Sequence, residues 1–435
     1  MTAEVGVINR LGIALAADSA VTIGPDGRKI YTSAEKLFQL AEKAPVGIMV
    51  YGNANYLTVP WETIIKTYRS RSGSKVFPQL SNYVDDFLSF IESQQKMFPD
   101  EAQRNYVGHV ALMYFQVLRN ELDNALRELQ DDLTDEIIMS EFEKVVFQAI
   151  KEVRSQQILE NIPDNFIETI KEKYADVVEN RREQTFGTLP RTPKTDETLV
   201  SIIFEIVQRE IFGFDSGIVI AGFGEQEHFP SLIELQIEGM VNDIPLSLKR
   251  RQITIDTNIS GSIVPFAQRE MVDTFMQGID PYLQKLIERS TLELFSGIVP
   301  IIFNELRNNG VDIEGELENY LSDKLQQIAD GVRKEWEHNQ KEHYWGPIVN
   351  IIAFLPKDEL AATAEAMVNL TKFKRRVSDE RETVGGPIDV AVISKGDGFV
   401  WIKHKHYFDA RLNPRFMAKY HKGGYDEYAK NSQEI

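Results

Sequence analysis

Residues 3–9 (AEVGVIN) and 12–17 (GIALAA) are nearly unbroken apolar runs joined by the turn Arg10-Leu11-Gly12. Runs of this length and composition read as short strands, and strands without a polar face suit burial on both sides. The chain therefore has to cover this hairpin twice over, which places it inside a layered domain rather than at a surface.

The rest of the chain supplies the layers. Residues 36–40 (KLFQL) and 46–51 (VGIMVY) read as two more strands, the second closing at Gly52, and Pro25-Asp26-Gly27 marks a turn or loop between the two strand pairs. From about 61 to 177 the period is helical. Ile138, Phe142, Val145, Ala149, Ile150 and Val153 share one helix face, behind Thr134 as an N-cap with Asp135 and Glu136 in the first turn. The polar stretch 180–196, with two prolines and a glycine, reads as a loop before a helix at about 197–212. Strands return at 216–222, at 231–238, where apolar and polar residues alternate, and at 252–257. Residues 265–345 read as mostly helical. A helix at 357–375 follows, with Leu360, Ala364, Met367 and Val368 on one face. Strands at 388–394 and 398–403 flank the turn Lys395-Gly396-Asp397-Gly398, and a polar tail follows Asn413. Helical blocks set between strand groups predict one sheet-based domain with large helical insertions.

Charge narrows the function classes. With 66 acids against 48 bases the net charge is -18, the wrong sign for a nucleic-acid surface or an anionic membrane. The chain has no cysteine, which removes thiolate metal sites and a Cys nucleophile. The first residues lack a signal peptide's basic and long apolar regions, and no run approaches a membrane span, so the expectation is a soluble, cytoplasmic protein.

Thr2 is the first candidate for chemistry. Removal of Met1 would leave an α-amine on the residue that carries the hydroxyl. Such an amine, with a pKa of ~7.7–8, can take the hydroxyl proton as an intraresidue base. Asp18, at the end of LGIALAAD, and Lys36, ahead of LFQL, would then form a buried ion pair whose ammonium lowers the amine pKa and stabilises oxyanion charge. Gly52, at a strand end, offers a backbone N–H as an oxyanion donor. Each residue alone reads as ordinary: an unremarkable second residue, two strand-end charges and a turn glycine.

Together these residues resemble the proteasome β-subunit family of N-terminal-nucleophile (Ntn) hydrolases. TAEVGVINRLGIALAADSAVT is similar to the family's opening, Lys36 with LFQL to its catalytic lysine and following strand, and VGIMVYGNA to the strand ending at its oxyanion glycine. SGIVIAG with SLIELQIEG resembles the next central strands, ISGSIVPFAQRE the Ser-Gly-Ser segment that opens a core helix, and GGPIDVAVISKGDGFVWI the final hairpin. The resemblance covers about 2–54, 216–280 and 356–403. It implies an α+β fold, a four-layer αββα sandwich, as a single domain over 1–435. Core strands would lie at about 2–54, 216–260 and 386–403, a helical insertion at 55–215, core helices plus a second insertion at 265–376, and a tail at 404–435. It further implies Thr2 as nucleophile, Asp18 and Lys36 as its charged partners, Gly52 as oxyanion donor, Ser260 or Ser262 beside the amine, and Thr22 and Asn53 against the substrate. One stretch departs from the pattern: where the family has an Asp and a Ser before the last hairpin, a gapless match puts Arg381 and Val384, with Ser378 or Asp379 as shifted substitutes.

The expected activity is cleavage of a peptide or amide bond through an acyl-enzyme on Thr2, without metal or other cofactor. The alternatives are transpeptidation or non-peptide amidase chemistry on the same scaffold, or a non-catalytic assembly subunit. Expected partners are a peptide or protein substrate and, at most, a small homo-oligomer. Weaker signals read as structural: Gly222-Phe223-Gly224 as a strand-end turn, Glu335, His338 and His343 as a solvated helix face, and His404 with His406 as a strand edge.

Overall fold

The computed structural model describes residues 2–23, 29–129, 133–211, 213, 216–311, 315–379, 384–415 and 417. In chain order its strands are β1 (Ala3–Asn9), β2 (Gly12–Ala17), β3 (Val21–Ile23), β4 (Lys29–Tyr31), β5 (Leu37–Gln39), β6 (Val46–Gly52), β7 (Asn55–Tyr56), β8 (Val59–Pro60), β9 (Ser216–Gly222), β10 (Ser231–Val241), β11 (Ile244–Thr254), β12 (Gly261–Ala267), β13 (Asp389–Ser394) and β14 (Gly398–Lys403). Two antiparallel five-stranded sheets result: sheet I in the order β12-β1-β2-β13-β14, and sheet II in the order β11-β10-β9-β6-β5. The pairs β3–β4 and β7–β8 stand outside them. The turn expected at Pro25-Asp26-Gly27 lies outside the described residues.

Three apolar layers hold the sheets and their helices together. Between the sheets, Ile8, Ile13, Leu15 and Ala17 of sheet I meet Leu37, Met49, Val219, Ala221 and Leu232 of sheet II. On the outer face of sheet I, Val5, Val7, Ala14, Ala16, Val390 and Val392 pack under Leu360, Ala361, Ala364 and Val368 of a helix at Lys357–Val377. On the outer face of sheet II, Ile48, Val50, Ile218, Ile220 and Ile233 pack under helices α1 (Trp61–Ser72) and α2 (Leu80–Glu92) through Trp61, Ile64, Ile65, Tyr83 and Phe87. The fold is thus two antiparallel sheets flanked by helices. The two-residue repeat explains why the first hairpin reads as nearly all apolar: successive side chains of β1 and β2 enter different layers, and both layers are built of apolar side chains. At Gly47 the sheets come close: a Cβ there would stand 2.8 Å from Ile393 Cδ1 and 2.9 Å from Phe399 Cε2.

Four further helices, α3 (Asp100–Glu128), α4 (Asp135–Ser155), α5 (Phe166–Phe186) and α6 (Pro193–Ile206), build a core of their own. Val107, Phe115, Phe142, Val146, Tyr174, Phe186, Leu199 and Ile203 meet there, closing on Val241 and Leu246 at the tip of β10 and β11. The loop expected at 180–196 is shorter than its composition suggests. Helix α5 runs on to Phe186, whose buried ring packs 5.7 Å from Phe115 and 5.0 Å from Phe142. Pro193 opens α6 at its first turn behind the N-cap Thr192, where a proline lacks nothing the helix needs.

The third strand group also departs from expectation. The strand expected at 252–257 is the end of the long β11, and the Ser-Gly-Ser segment starts β12 rather than a helix. Pro265 is compatible with a strand here because β12 is the edge of sheet I, paired only with β1. After the short α7 (Glu270–Gln277), α8 (Pro281–Asn308) and α9 (Gly315–Gln340) form a helical hairpin that buries few apolar side chains, among them Val299, Phe303 and Ala329. A π-turn at Lys341–Trp345 and α10 (Gly346–Ile352) return the chain to α11 (Lys357–Val377). No helix among the described residues is long and apolar enough to cross a membrane.

Candidate active site

The start of β1 and the end of β2 lie side by side, with Glu4 opposite Ala17, so Asp18 emerges beside the first described residues. Its backbone N–H donates to Ala3 O at 3.1 Å, and its Oδ1 accepts the Ala3 N–H at 3.1 Å. Lys36 comes from the other sheet, immediately before β5, and crosses the layer: its Nζ donates to Asp18 Oδ1 at 2.7 Å and to Thr2 Oγ1 at 3.0 Å. All three residues are buried, Thr2 being 4% exposed.

A buried ion pair is stable only where every polar group is satisfied. Asp18 meets that condition with four donors. Besides Lys36 and Ala3 on Oδ1, its Oδ2 accepts the N–H groups of Ala20 at 3.1 Å and of Gly385 at 3.0 Å. Gly385 belongs to the stretch before the last hairpin. Its carbonyl accepts the Ser19 N–H, and Ser19 Oγ donates to Pro387 O at 2.6 Å. The segment that departs from the expected Asp and Ser therefore reaches the site through its backbone. Val384 is fully buried, Asp379 is exposed, the Ser378 hydroxyl is buried without a partner, and Arg381 lies outside the described residues.

Gly52 ends β6 with φ at +81°, in the left-handed region that favours glycine. Val50, two residues earlier, donates to the Lys36 carbonyl at 2.9 Å, so Gly52 continues the strand that borders Lys36. Asn53 follows it, exposed, and its carbonyl accepts from Ser216 Oγ. Thr22 lies on β3 opposite Ile30, and nothing is described of its side chain. Met1 lies outside the described residues.

Ser260 and Ser262 are not brought to Thr2. In the β1–β12 pairing Ser262 is opposite Ile8 and Gly261 opposite Asn9, at the far end of β1, whereas Ala267 is opposite Ala3. From Ile8, opposite Ser262, back to Thr2 is six positions, about 20 Å of strand. The residues of that segment that do reach the start of β1 are Ala267 and Gln268. Ala267 holds a positive φ of 56°, unusual for a residue with a Cβ, and Gln268 N–H donates to Thr2 O at 3.1 Å. No side-chain pattern announces that backbone contact.

Sequence reasoning also passed over Glu4. It is 1% exposed, and neither carboxyl oxygen has a hydrogen-bond partner. Burial pushes its carboxyl well above the usual carboxylate range; Lys36 pulls in the opposite direction, and Asp18 adds to the rise. Among the described residues no group of three His, Asp or Glu side chains is arranged to hold a metal ion.

No family model matches the chain, and no curated protein matches it. Among solved structures it is similar to the Gly-1 mutant of Anbu from Hyphomicrobium sp. strain MC1, with 11% sequence identity over 98% of this chain and 97% of that one, at a TM-score of 0.27.

Proposed function

We propose that the chain is a threonine-type Ntn hydrolase that cleaves a peptide or amide bond through an acyl-enzyme on Thr2. The observation that carries this reading is Lys36 Nζ, bonded at once to Thr2 Oγ1 and Asp18 Oδ1 in a buried site at the start of the chain. An ammonium donating to a hydroxyl oxygen makes that hydroxyl easier to deprotonate, and Asp18 holds the ammonium in place.

With Met1 removed, the Thr2 amine takes the hydroxyl proton as Oγ1 attacks the substrate carbonyl. The Gly52 N–H, at the end of the strand bordering Lys36, donates to the oxyanion. Collapse of the tetrahedral intermediate forms the Thr2 ester and releases the amine product, which takes the proton held by the Thr2 amine. Water, deprotonated by the same amine, then hydrolyses the ester. A competing amine in place of water would give transpeptidation from the same intermediate.

The test is covalent labelling with a threonine-directed electrophile, a peptide vinyl sulfone, followed by peptide mapping. Modification at Thr2, abolished in Thr2→Ala, supports the reading. Label found elsewhere, or unchanged in Thr2→Ala, overturns it.

A further inference from the structure

Glu4 stands on β1 two residues after Thr2, whose carbonyl continues the pairing with the β12 side through Gln268 N–H, and residues i and i+2 of extended chain share a face. That face looks into the layer between the sheets, where the next inward position, Gly6, would press a Cβ to 3.1 Å from Leu232 of sheet II. The carboxyl is buried with both oxygens unpartnered, and the charges it senses are those of Lys36 and Asp18. A polar group in that condition normally costs stability, so natural cores seldom keep one without a use.

Among the described residues, the charged and polar groups around Glu4 are otherwise engaged, and Lys36 is the cation that acts on its carboxyl. On β2, Asp18 is saturated by its four donors. On β12, Phe266 lies opposite Glu4, stacked on Tyr51 of β6 with Arg251 of β11 over its ring. Glu234 of β10 is held by Tyr51 and Arg251. On the outer face of sheet I, Lys372 of α11 bonds Gly386 O, Lys374 pairs with Glu270 of α7, and Arg375 bonds Gln268. Lys36 carries three N–H donors, of which Asp18 and Thr2 take two.

We propose that Glu4 is a proton-dependent positioning residue that acts through Lys36. As a neutral acid it leaves the ammonium divided between Asp18 and Thr2. As a carboxylate, its proton released to solvent, it takes the third N–H and draws Nζ away from Thr2 Oγ1. The site is then competent while Glu4 is protonated and loses its activating contact as Glu4 ionises. This inference rests on the Thr2 reading above.

The experiment measures the rate of labelling by a peptide vinyl sulfone across pH, by intact mass, on full-length protein whose mass shows Met1 removed. The wild type should show an alkaline limb that falls about tenfold per pH unit, as a single ionisation requires. Glu4→Gln, which cannot ionise, should lack that limb. In parallel, infrared spectra of wild-type protein with 13C-labelled glutamate should show a protonated-carboxyl band at neutral pH that disappears along the same limb. Thr2-dependent labelling with superimposable wild-type and Glu4→Gln profiles overturns the role of Glu4 and leaves Thr2 standing. Should Glu4→Gln not fold, absence of the protonated-carboxyl band in the wild type overturns it instead. Labelling that persists in Thr2→Ala overturns the Thr2 reading itself.

Discussion

Lys36 Nζ lies 3.0 Å from Thr2 Oγ1, yet the two residues immediately precede strands of different sheets, β5 and β1. The Thr2 hydroxyl and the Lys36 side chain are set in register by the packing of the layers rather than by any local turn. The proposed chemistry thus depends on how closely the sheets approach, which residues such as Gly6 and Gly47 permit.

Thr2→Ala should abolish turnover and electrophile labelling while leaving the fold intact, because the change removes little from a chain end. Lys36→Ala should lower the labelling rate by at least ~100–1000-fold, the usual cost of removing one oxyanion-type stabiliser. Labelling kinetics beside thermal melts separate the two effects.

The active form should begin at Thr2. Intact mass of protein purified from cells should be lower by one methionine, and a variant that retains Met1, with its amine no longer on Thr2, should not label. Active protein that keeps Met1 would remove the amine from the mechanism.

Asp18→Asn should be costly to stability. The substituted amide turns a donor toward the N–H groups that Asp18 now accepts and leaves Lys36 buried without its counter-charge. Breaking a buried pair from one side costs about 3–5 kcal/mol, which urea unfolding would register.

Glu4 gives stability a pH dependence of definite sign. Its folded pKa lies above the unfolded value of ~4.3, so the folded state holds the proton more tightly. The contribution is complete below the unfolded pKa and is lost as pH rises toward the folded one, with a slope of at most about 1.4 kcal/mol per pH unit. Glu4→Gln should flatten that part of the profile, so its advantage over wild type should grow with pH above the ordinary carboxylate range. Urea midpoints at several pH values provide the check.

The particle should be a monomer or small oligomer rather than the stacked seven-fold rings that the family resemblance brings to mind. Those rings are built through the core helices. Here the α3–α6 cluster closes on the tip of β10 and β11, and the α8–α9 hairpin is largely uncovered, so the surfaces beside the sandwich are differently occupied. Light scattering would decide, and a fourteen-copy particle would refute it.

Much of the strand framework was readable because its signal is compositional. Both layers that cover β1 and β2 leave apolar side chains in the text, and Leu360 to Val368 repeat at helical spacing against sheet I. The meeting of Thr2, Asp18 and Lys36 in space was legible because each is a charged or hydroxyl side chain beside a strand end. What escaped has a different physical basis. Gly385 serves the site through a backbone N–H, which any residue but proline carries. Ser260 or Ser262 was expected beside Thr2 because a motif fixes residue types but not the register of the strand it lies in. Phe186 remains helical because it fills the space between Phe115 and Phe142, a contact that outweighs the polar residues around it. Glu4 hid in an otherwise apolar strand, where one charge reads as an outward-facing exception.

The hydrogen bond between Gly385 and Asp18 closes a span of 367 residues. On a ribosome adding about 5–20 residues per second, roughly 20–70 s pass between the appearance of the two. Throughout that interval the first hairpin exists without the strand that will border β2 and without the loop that clasps Asp18. A chain made this way carries Asp18 without its full set of hydrogen-bond donors until Gly385 has been made. The same delay leaves two largely apolar strands, β1 and β2, without their final cover in the nascent chain.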